Sequence, residues 1–184
     1  MQFDVTIEIP KGTRNKYVFD HLTGRMRLDR TLFTATQYPA DYGFVEQTYR
    51  PGTDALDALV LVRAPTFPGC LINCRAFGMF AMNDENGPTP KVLCVPTADI
   101  RLDELRDIDD LDPFLRLEIQ HFFKIYKAIE PGKQVVAGSE RWAGRAEAEA
   151  EVRAALDRPV PEPAAPDRRG ADRRTLDRAG QGPT

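Results

Sequence analysis

The chain has 184 residues, 42% hydrophobic and 29% charged, which is enough for one domain with a core of its own. Its formal net charge of -3 argues against non-specific nucleic-acid binding, because that binding needs a basic surface. We find no apolar run near the length of a membrane span and no secretory signal pattern, so we expect a cytoplasmic protein without a membrane partner. Three cysteines in apolar stretches, without metal-ligand spacing, are predicted to be buried reduced thiols: Cys70, Cys74 and Cys94.

Short strands are predicted along the first two thirds of the chain. Residues 2–9 alternate between apolar and polar side chains, which is typical of a half-buried strand. Residues 16–19 and 25–29 flank a turn-rich segment and predict a hairpin. Further strands are predicted at 57–63, 71–82 and 91–96. Short strands followed by helices indicate an α+β domain built on a small barrel or sheet.

Two helices are predicted to close the domain. Residues 113–128 carry apolar side chains at three- and four-residue spacing, and Pro113 suits a first-turn position. Residues 139–157 predict a second, charged helix with Ser139 as its cap. From residue 158 the composition turns to Pro, Gly, Ala, Asp and Arg. We therefore expect a domain over 1–157 and a disordered Pro/Arg-rich tail over 158–184.

Carboxylates near turns are candidates for a metal site. Asp54 and Asp57 precede an apolar strand, where two carboxylates three residues apart could converge on one hard cation. Asp84 and Glu85 lie in a second turn, and Lys91 opens the next strand. Taken alone, each cluster is better explained by the turn-forming preference of Asp, Asn and Gly.

Cationic and tyrosine side chains supply the donors that phosphate oxygens require. The cations beside predicted strands or helices are Lys16, Arg30, Lys91 and Lys127. The tyrosines near them are Tyr17, Tyr38, Tyr42 and Tyr126. Because Lys and Arg are also ordinary surface residues, their spacing alone does not locate a pocket.

Eight segments in one order carry a resemblance to a known family. They are IEIPKGTRNKY (7–17), LDRTL (28–32), QYPADYGF (37–44), LDALVL (56–61), FPGCLI (67–72), GMFAMNDENG (78–87), KVLCVP (91–96) and HFFKIYKAIEPGK (121–133). Each is weak alone, but together they resemble family I inorganic pyrophosphatases across residues 2–157, with an actinobacterial character. The resemblance implies a small five-stranded, OB-like barrel flanked by helices.

The resemblance also implies an activity and a role for each matching residue. The expected reaction is hydrolysis of diphosphate to two phosphates, dependent on Mg²⁺ with Mn²⁺ as an alternative. Asp54 matches the general base beside the nucleophilic water, and Asp57 matches the carboxylate that bridges the two activating metals. Two further metal ligands are matched by Asp84 and Glu8. The residues that match phosphate-binding groups are Lys16, Arg30, Lys91, Lys127, Tyr38, Tyr42 and Tyr126.

Three acids of the family pattern are replaced in this chain. The signature D-G-D-P-x-D reads Gly52-Thr53-Asp54-Ala55-Leu56-Asp57, so its first aspartate is Gly52. The acid of K-Y-E is Val18, and the aspartate of D-x-K is Thr89. Because the four cations remain, we expect diphosphate recognition to survive better than multi-metal hydrolysis.

Three functions remain open at this point. The first is a pyrophosphatase with a weakened metal site, and the second is an enzyme repurposed for an organic diphosphate. The third is a non-catalytic phosphate-binding regulatory protein. Bacterial relatives are usually hexamers with two histidines at subunit contacts; His121 matches the first and Ile125 replaces the second. A homo-oligomer is therefore expected, without assurance of a hexamer.

Overall fold

The computed structural model describes residues 1–84, 87–132, 136 and 138–159, with only the backbone at residue 84. The strands are β1 (Gln2–Ile9), β2 (Asn15–Asp20), β3 (Arg25–Thr31), β4 (Asp41–Val45), β5 (Asp57–Val60), β6 (Leu71–Asp84), β7 (Gly87–Pro96) and β8 (Arg141–Gly144). The helices are α1 (Pro113–Ile125) and α2 (Arg145–Leu156), preceded by two short 3₁₀ turns.

Five strands close into a ring. Their order is β1-β4-β5-β7-β6, and β6 pairs again with β1, so that the sheet returns on itself. β8 pairs with residues 78–81 of β6, on the same edge as β1 but beyond the residues that β1 covers, while β2 and β3 form a separate hairpin. Most pairings are antiparallel, but β5 runs parallel to β7, which sets Asp57 beside Lys91. Closure of this kind removes exposed strand edges.

Both faces of the central strands are buried. Ala58 and Val60 of β5 belong to a core cluster that includes residues of α2, whereas Leu59 and Leu61 belong to a second cluster beneath α1. This two-sided burial explains why β5 reads as a continuous apolar run rather than an alternating one. A Cβ at Gly43 of β4 would overlap the carbonyl oxygen of Thr6, so β1 and β4 approach closely only because residue 43 is glycine.

The first predicted helix is confirmed, although it is shorter than expected. It begins at Pro113, and the carboxylate of Asp112 caps it by accepting hydrogen bonds from the backbone N–H groups of Phe114 and Leu115, both at 2.9 Å. Its inner face buries Ile119, Phe122 and Phe123 against the second core cluster. The apolar spacing read from the sequence therefore identifies the packed face.

The predicted start of the second helix, at residue 139, was wrong. Residues 141–144 form β8 on the edge of β6, and α2 begins only at Arg145. Ser139 does not cap this helix; its hydroxyl accepts from the N–H of Asn83 at 2.9 Å and donates to the Val136 carbonyl at 2.6 Å. The carboxylate of Asp107, distant in sequence, accepts from the N–H of Arg145 instead. Pairing with β6 thus overrides the local helix preference of 141–144.

The remaining predictions concern strands, thiols and the tail. Strands are confirmed at each predicted place with shifted ends, whereas β4 was not predicted as a strand. All three cysteines are free; Cys74 and Cys94 are buried and Cys70 is half-buried. Among the described residues, the helices are too short and too polar to cross a membrane. Residues 160–184 of the predicted tail lie outside the described part of the chain.

Candidate active site

An ion pair joins two neighbouring strands at the centre of the site. The Lys91 ammonium lies 3.0 Å from Oδ2 of Asp57, and Lys91 is only 4% exposed. The same ammonium lies 5.1 Å from the ring centre of Phe123 and 5.9 Å from that of Tyr42. Burial, followed by the charge of Asp57, raises the pKa of Tyr42, so its hydroxyl stays neutral.

Glu8 of β1 approaches the same centre from the side of the hairpin. Its Oε1 accepts a hydrogen bond from the backbone N–H of Phe19 at 2.7 Å. Burial raises the pKa of Glu8 to about 7, and the negative charge of Asp57 adds to the rise. The N–H of Phe19 and the charge of Lys16 act in the opposite direction without cancelling it. Glu8 therefore exchanges its proton near neutral pH, close to Asp57 and Lys16.

Two acids hold the cations of the hairpin. Asp29 forms ion pairs with Arg30 and, at 3.6 Å, with Lys16. Glu130, whose side chain is 8% exposed, forms an ion pair with Arg30, and its Oε1 lies 2.7 Å from Nη2 of Arg30. Burial lowers the pKa of Lys16, and the nearby positive charge of Arg30 lowers it further, against the opposing effect of Asp29. Arg30 and Lys127 are thus close enough to Lys16 for their charges to lower its pKa.

The tyrosines line the side of this centre that faces α1. Tyr38 is 2% exposed, and its ring lies 5.5 Å from that of Tyr42. Burial raises the pKa of Tyr38, with the charges of Asp57 and Glu8 contributing. The ammonium of Lys127 lies 5.5 Å from the ring centre of Tyr126, and its charge also lowers the pKa of Lys16.

The structure therefore brings together nine of the predicted site residues. They are Glu8, Lys16, Arg30, Tyr38, Tyr42, Asp57, Lys91, Tyr126 and Lys127, which we call the site cluster. Asp54 is exposed on the preceding turn and makes no hydrogen bond or ion pair within the described chain. The side chain of Asp84 lies outside the described residues, as do Glu85 and the start of its turn towards β7.

The three positions at which the resemblance predicts replaced acids, 18, 52 and 89, carry no carboxylate. Val18 is 38% exposed on β2, on the same side of the strand as Lys16. The Thr89 hydroxyl is already used, because it donates to the Met82 carbonyl at 2.9 Å. Gly52 has a φ of +82° in a tight turn, a conformation that favours glycine.

Comparison with known proteins identifies the family. A family model described as "Pyrophosphatase: Inorganic pyrophosphatase" matches residues 5–159. The chain belongs to the inorganic pyrophosphatase family. The inorganic pyrophosphatase of Streptomyces coelicolor is 63% identical over 152 residues, covering 83% of this chain and 92% of that protein. That of Leifsonia xyli is 51% identical over the same coverage. The expected membership and its actinobacterial character are confirmed.

Solved structures of pyrophosphatases share the fold. The inorganic pyrophosphatase of Thermus thermophilus superposes with a TM-score of 0.79 at 42% identity, covering 84% of this chain and 89% of that one. That of Helicobacter pylori gives 0.79 at 34% identity, covering 84% and 91%. These likenesses and the closed ring of five strands confirm the predicted α+β, OB-like class.

Sequence reasoning missed three residues that shape this pyrophosphatase-like site. Asp29 and Glu130 hold the cations, and the Phe123 ring lies beneath Lys91. Asp29 and Glu130 both lie within the segments that carried the resemblance, next to matched cations or in the same stretch. Their roles escaped notice because ion pairing between positions 30 and 130 depends on tertiary folding rather than on spacing.

The described carboxylates fit a metal ion only when a bound phosphate substrate supplies some of its oxygen ligands. Among the described residues, no three His, Cys, Asp or Glu side chains are placed to hold a metal together. Glu8 and Asp57 are nevertheless close enough for the charge of one to affect the pKa of the other. Mg²⁺ is commonly held by one or two carboxylates with water and substrate phosphates completing its shell. The cluster fits that arrangement rather than a cage made by protein alone.

Proposed function

We propose that this protein hydrolyses inorganic diphosphate to two phosphates, with a weakened metal site. The observation that carries the proposal is the site cluster: four cations and three tyrosines converge on Glu8 and Asp57 in a chain of the inorganic pyrophosphatase family. The relatives named above are inorganic pyrophosphatases by name, which supports the same substrate. Fold alone would not support it, since one fold can serve many activities.

The cations and tyrosines bind and orient diphosphate in this proposal. Nε of Arg30 is buried and has no hydrogen-bond partner within the described chain. A buried unsatisfied donor is costly, and a phosphate oxygen would satisfy it. Lys16, Lys91 and Lys127 balance the negative charge of the diphosphate, and Tyr42 and Tyr126 donate to its oxygens. Together they stabilise the charge on the departing phosphate.

Carboxylates provide the rest of the chemistry. Asp54 accepts the proton of the attacking water. Asp57, Asp84, Glu8 and Asp54 are the proposed metal ligands. When bound, Mg²⁺, or Mn²⁺ in its place, neutralises phosphate oxygens and makes water more acidic. With neutral residues at 18, 52 and 89, we expect metal affinity to fall by more than the roughly 10–100-fold typical of losing a supporting partner.

Phosphate release from inorganic diphosphate tests this function. We would titrate Mg²⁺ and Mn²⁺ and compare the wild type with Asp54→Asn, which removes the proposed base without changing its size. Asp109→Asn is the matched control, because Asp109 is an exposed aspartate outside the site cluster. The expected result is turnover that needs high metal concentrations, is lost in Asp54→Asn and is retained in Asp109→Asn.

A restored variant separates the weakened site from the other functions. Val18→Glu, Gly52→Asp and Thr89→Asp together return the family acids. A side chain at 52 meets no neighbouring atom, but the φ of +82° makes aspartate there strained, so circular dichroism must first show that the variant is folded. Higher affinity for Mg²⁺ with faster turnover would support the proposal. Absence of wild-type turnover, with turnover after restoration, would contradict it and direct the search to organic diphosphates. Diphosphate binding without turnover in any variant would favour a regulatory protein.

We also propose that the protein forms a homo-oligomer through the outer face of α1. Phe114 and Leu117 are 81% and 60% exposed, and His121 is exposed on the same helix. Leu117, Gln120, His121 and Lys124 line a shallow depression of about 300 Å³. Light scattering after size exclusion should give a mass above 20.7 kDa, and Leu117→Glu should lower it towards the monomer. The cytoplasmic location and the absence of a nucleic-acid partner stay predictions.

A further inference from the structure

One ion pair of the site cluster joins groups that the proposed reaction must separate. Asp57 is proposed to hold metal and Lys91 to hold phosphate, yet their charged atoms lie 3.0 Å apart. The parallel pairing of β5 and β7 sets the two residues side by side. The Lys91 side chain is 5% exposed, whereas that of Asp57 is 31% exposed. The carboxylate is therefore open to a cation from solvent, while the ammonium that neutralises it is enclosed.

Displacing this ammonium by a metal ion has an unfavourable consequence. A divalent cation bound to Asp57 would deprive Lys91 of its ion-pair partner. It would also place further positive charge beside the Lys91 ammonium. Leaving one member of a buried ion pair without its partner is strongly unfavourable. The rings of Phe123 and Tyr42 attract the ammonium, but they carry no net charge to replace a carboxylate.

The substitution at position 89 removes a nearby acid that the family pattern provides. Residues 89 and 91 lie two apart on β7, so their side chains share one side of the strand. Thr89 is neutral, and its hydroxyl donates to the carbonyl of Met82 across the β6–β7 pairing. Lys91 therefore gains no charge compensation from residue 89 when Asp57 is withdrawn from it.

We propose that Lys91 is an internal counter-ion that makes metal binding at Asp57 depend on bound diphosphate. Diphosphate oxygens replace Asp57 as the ion-pair partner of the Lys91 ammonium. The Asp57 carboxylate is then available to bind the metal. The two ligands consequently strengthen each other's binding by the same factor, as linkage requires. This inference rests on the proposed diphosphate-binding site, but it concerns the order of binding rather than hydrolysis.

Mn²⁺ binding to the full chain without diphosphate gives the decisive measurement. Lys91→Met keeps an unbranched side chain over Phe123 and Tyr42 while removing the charge. Site-to-site couplings commonly amount to about 5- to 150-fold, so we expect Lys91→Met to bind Mn²⁺ at least about 10-fold more tightly than the wild type. Electron paramagnetic resonance of free Mn²⁺ provides the affinity. A merely structural role for Lys91 would leave this affinity unchanged or weaken it.

Two further variants locate the effect. Lys124→Met is the control, since Lys124 forms an ion pair of similar length with Glu140, 3.2 Å, outside the cluster, and its side chain is 43% exposed where that of Lys91 is enclosed. It should leave Mn²⁺ affinity unchanged. Adding Asp57→Asn to Lys91→Met should remove the gain, because the released carboxylate is then absent. If circular dichroism shows that Lys91→Met is unfolded, Lys91→Gln takes its place in the same measurement.

A second titration examines the role of diphosphate itself. Methylenediphosphonate, which resists hydrolysis, is added at matched concentrations of free Mn²⁺. It should tighten Mn²⁺ binding to the wild type and have a smaller effect on Lys91→Met. Equal Mn²⁺ affinities in Lys91→Met and the wild type, without diphosphonate, would overturn the inference.

Phosphate release measured in the same buffer distinguishes the two proposals. Turnover by the wild type together with unchanged Mn²⁺ affinity in Lys91→Met would overturn the counter-ion role and leave the hydrolase in place. Tighter Mn²⁺ binding by Lys91→Met without any wild-type turnover would support the counter-ion role and contradict hydrolysis.

Discussion

Replacing Glu8 by glutamine should change how stability depends on pH. Glu8 is largely buried, and its pKa rises from 4.5 to about 7 in the folded chain. Glutamine has nearly the same shape and keeps an oxygen that can accept from the N–H of Phe19, now at 2.7 Å from Glu8. The substitution thus removes the titration while preserving the local hydrogen bond.

The size of the effect follows from the raised pKa. Between pH 4.5 and about 7 the folded chain holds a proton on Glu8 that the unfolded chain has released. The free energy of unfolding therefore falls as pH rises through this window. At about 1.4 kcal/mol for each pKa unit, the wild type should lose roughly 3 kcal/mol relative to Glu8→Gln by pH 8.

Urea unfolding at pH 5 and pH 8, in EDTA to remove bound cations, measures this difference. Glu118→Gln is the matched control, because Glu118 is an exposed acid on α1. Glu8→Gln should be the more stable protein at pH 8, with the advantage shrinking towards pH 5. Parallel pH profiles for the wild type and Glu8→Gln would show that burial does not raise the Glu8 pKa and would refute the reasoning.

Two other substitutions probe the barrel and the cation positions. Gly43→Ala should lower the free energy of unfolding by about 1–3 kcal/mol, because the added methyl group would collide with the Thr6 carbonyl. An unchanged melting temperature, measured by circular dichroism, would contradict the close approach of β1 and β4. Glu130→Gln should loosen Arg30 and raise KM for diphosphate about tenfold, from roughly 1.5 kcal/mol for a hydrogen bond between charged groups. If kcat falls while KM stays constant in steady-state kinetics, Glu130 does not position Arg30 for binding.

Local sequence patterns were sufficient to predict an element when its own residues determine which face is buried. Alternation in residues 2–9 and the apolar stripe of α1 predict the apolar side chains that each element buries, and these are confirmed. The polar face of β1 is less exposed than predicted, because Thr6 is buried and Glu8 half-buried. The ordered motifs predicted the family, which is confirmed, whereas the replacement of family acids at 18, 52 and 89 stays a prediction. These properties depend on residue identity and short-range periodicity, which the sequence displays without a fold.

Other features depended on contacts between distant parts of the chain. Residues 141–144 resemble the beginning of a helix, but the open edge of β6 makes them a strand and moves the helix start to Arg145. Strand β4 contains a buried Asp41 that interrupts its apolar pattern. The Asp41 carboxylate accepts hydrogen bonds from the backbone N–H of Lys11 and from the N–H and hydroxyl of Thr66, both far away in sequence. No local pattern shows which hydrogen-bond partners a buried carboxylate will meet.

The sequence by itself determined the family of this protein and which charged side chains it carries. Only the tertiary structure decided their electrostatics: the parallel β5–β7 pairing put Lys91 against Asp57, and burial beside the hairpin raised the pKa of Glu8. The reason is physical. Residue types set which charges are available, but distance and desolvation set how strongly those charges interact, and both arise only when the strands pack together.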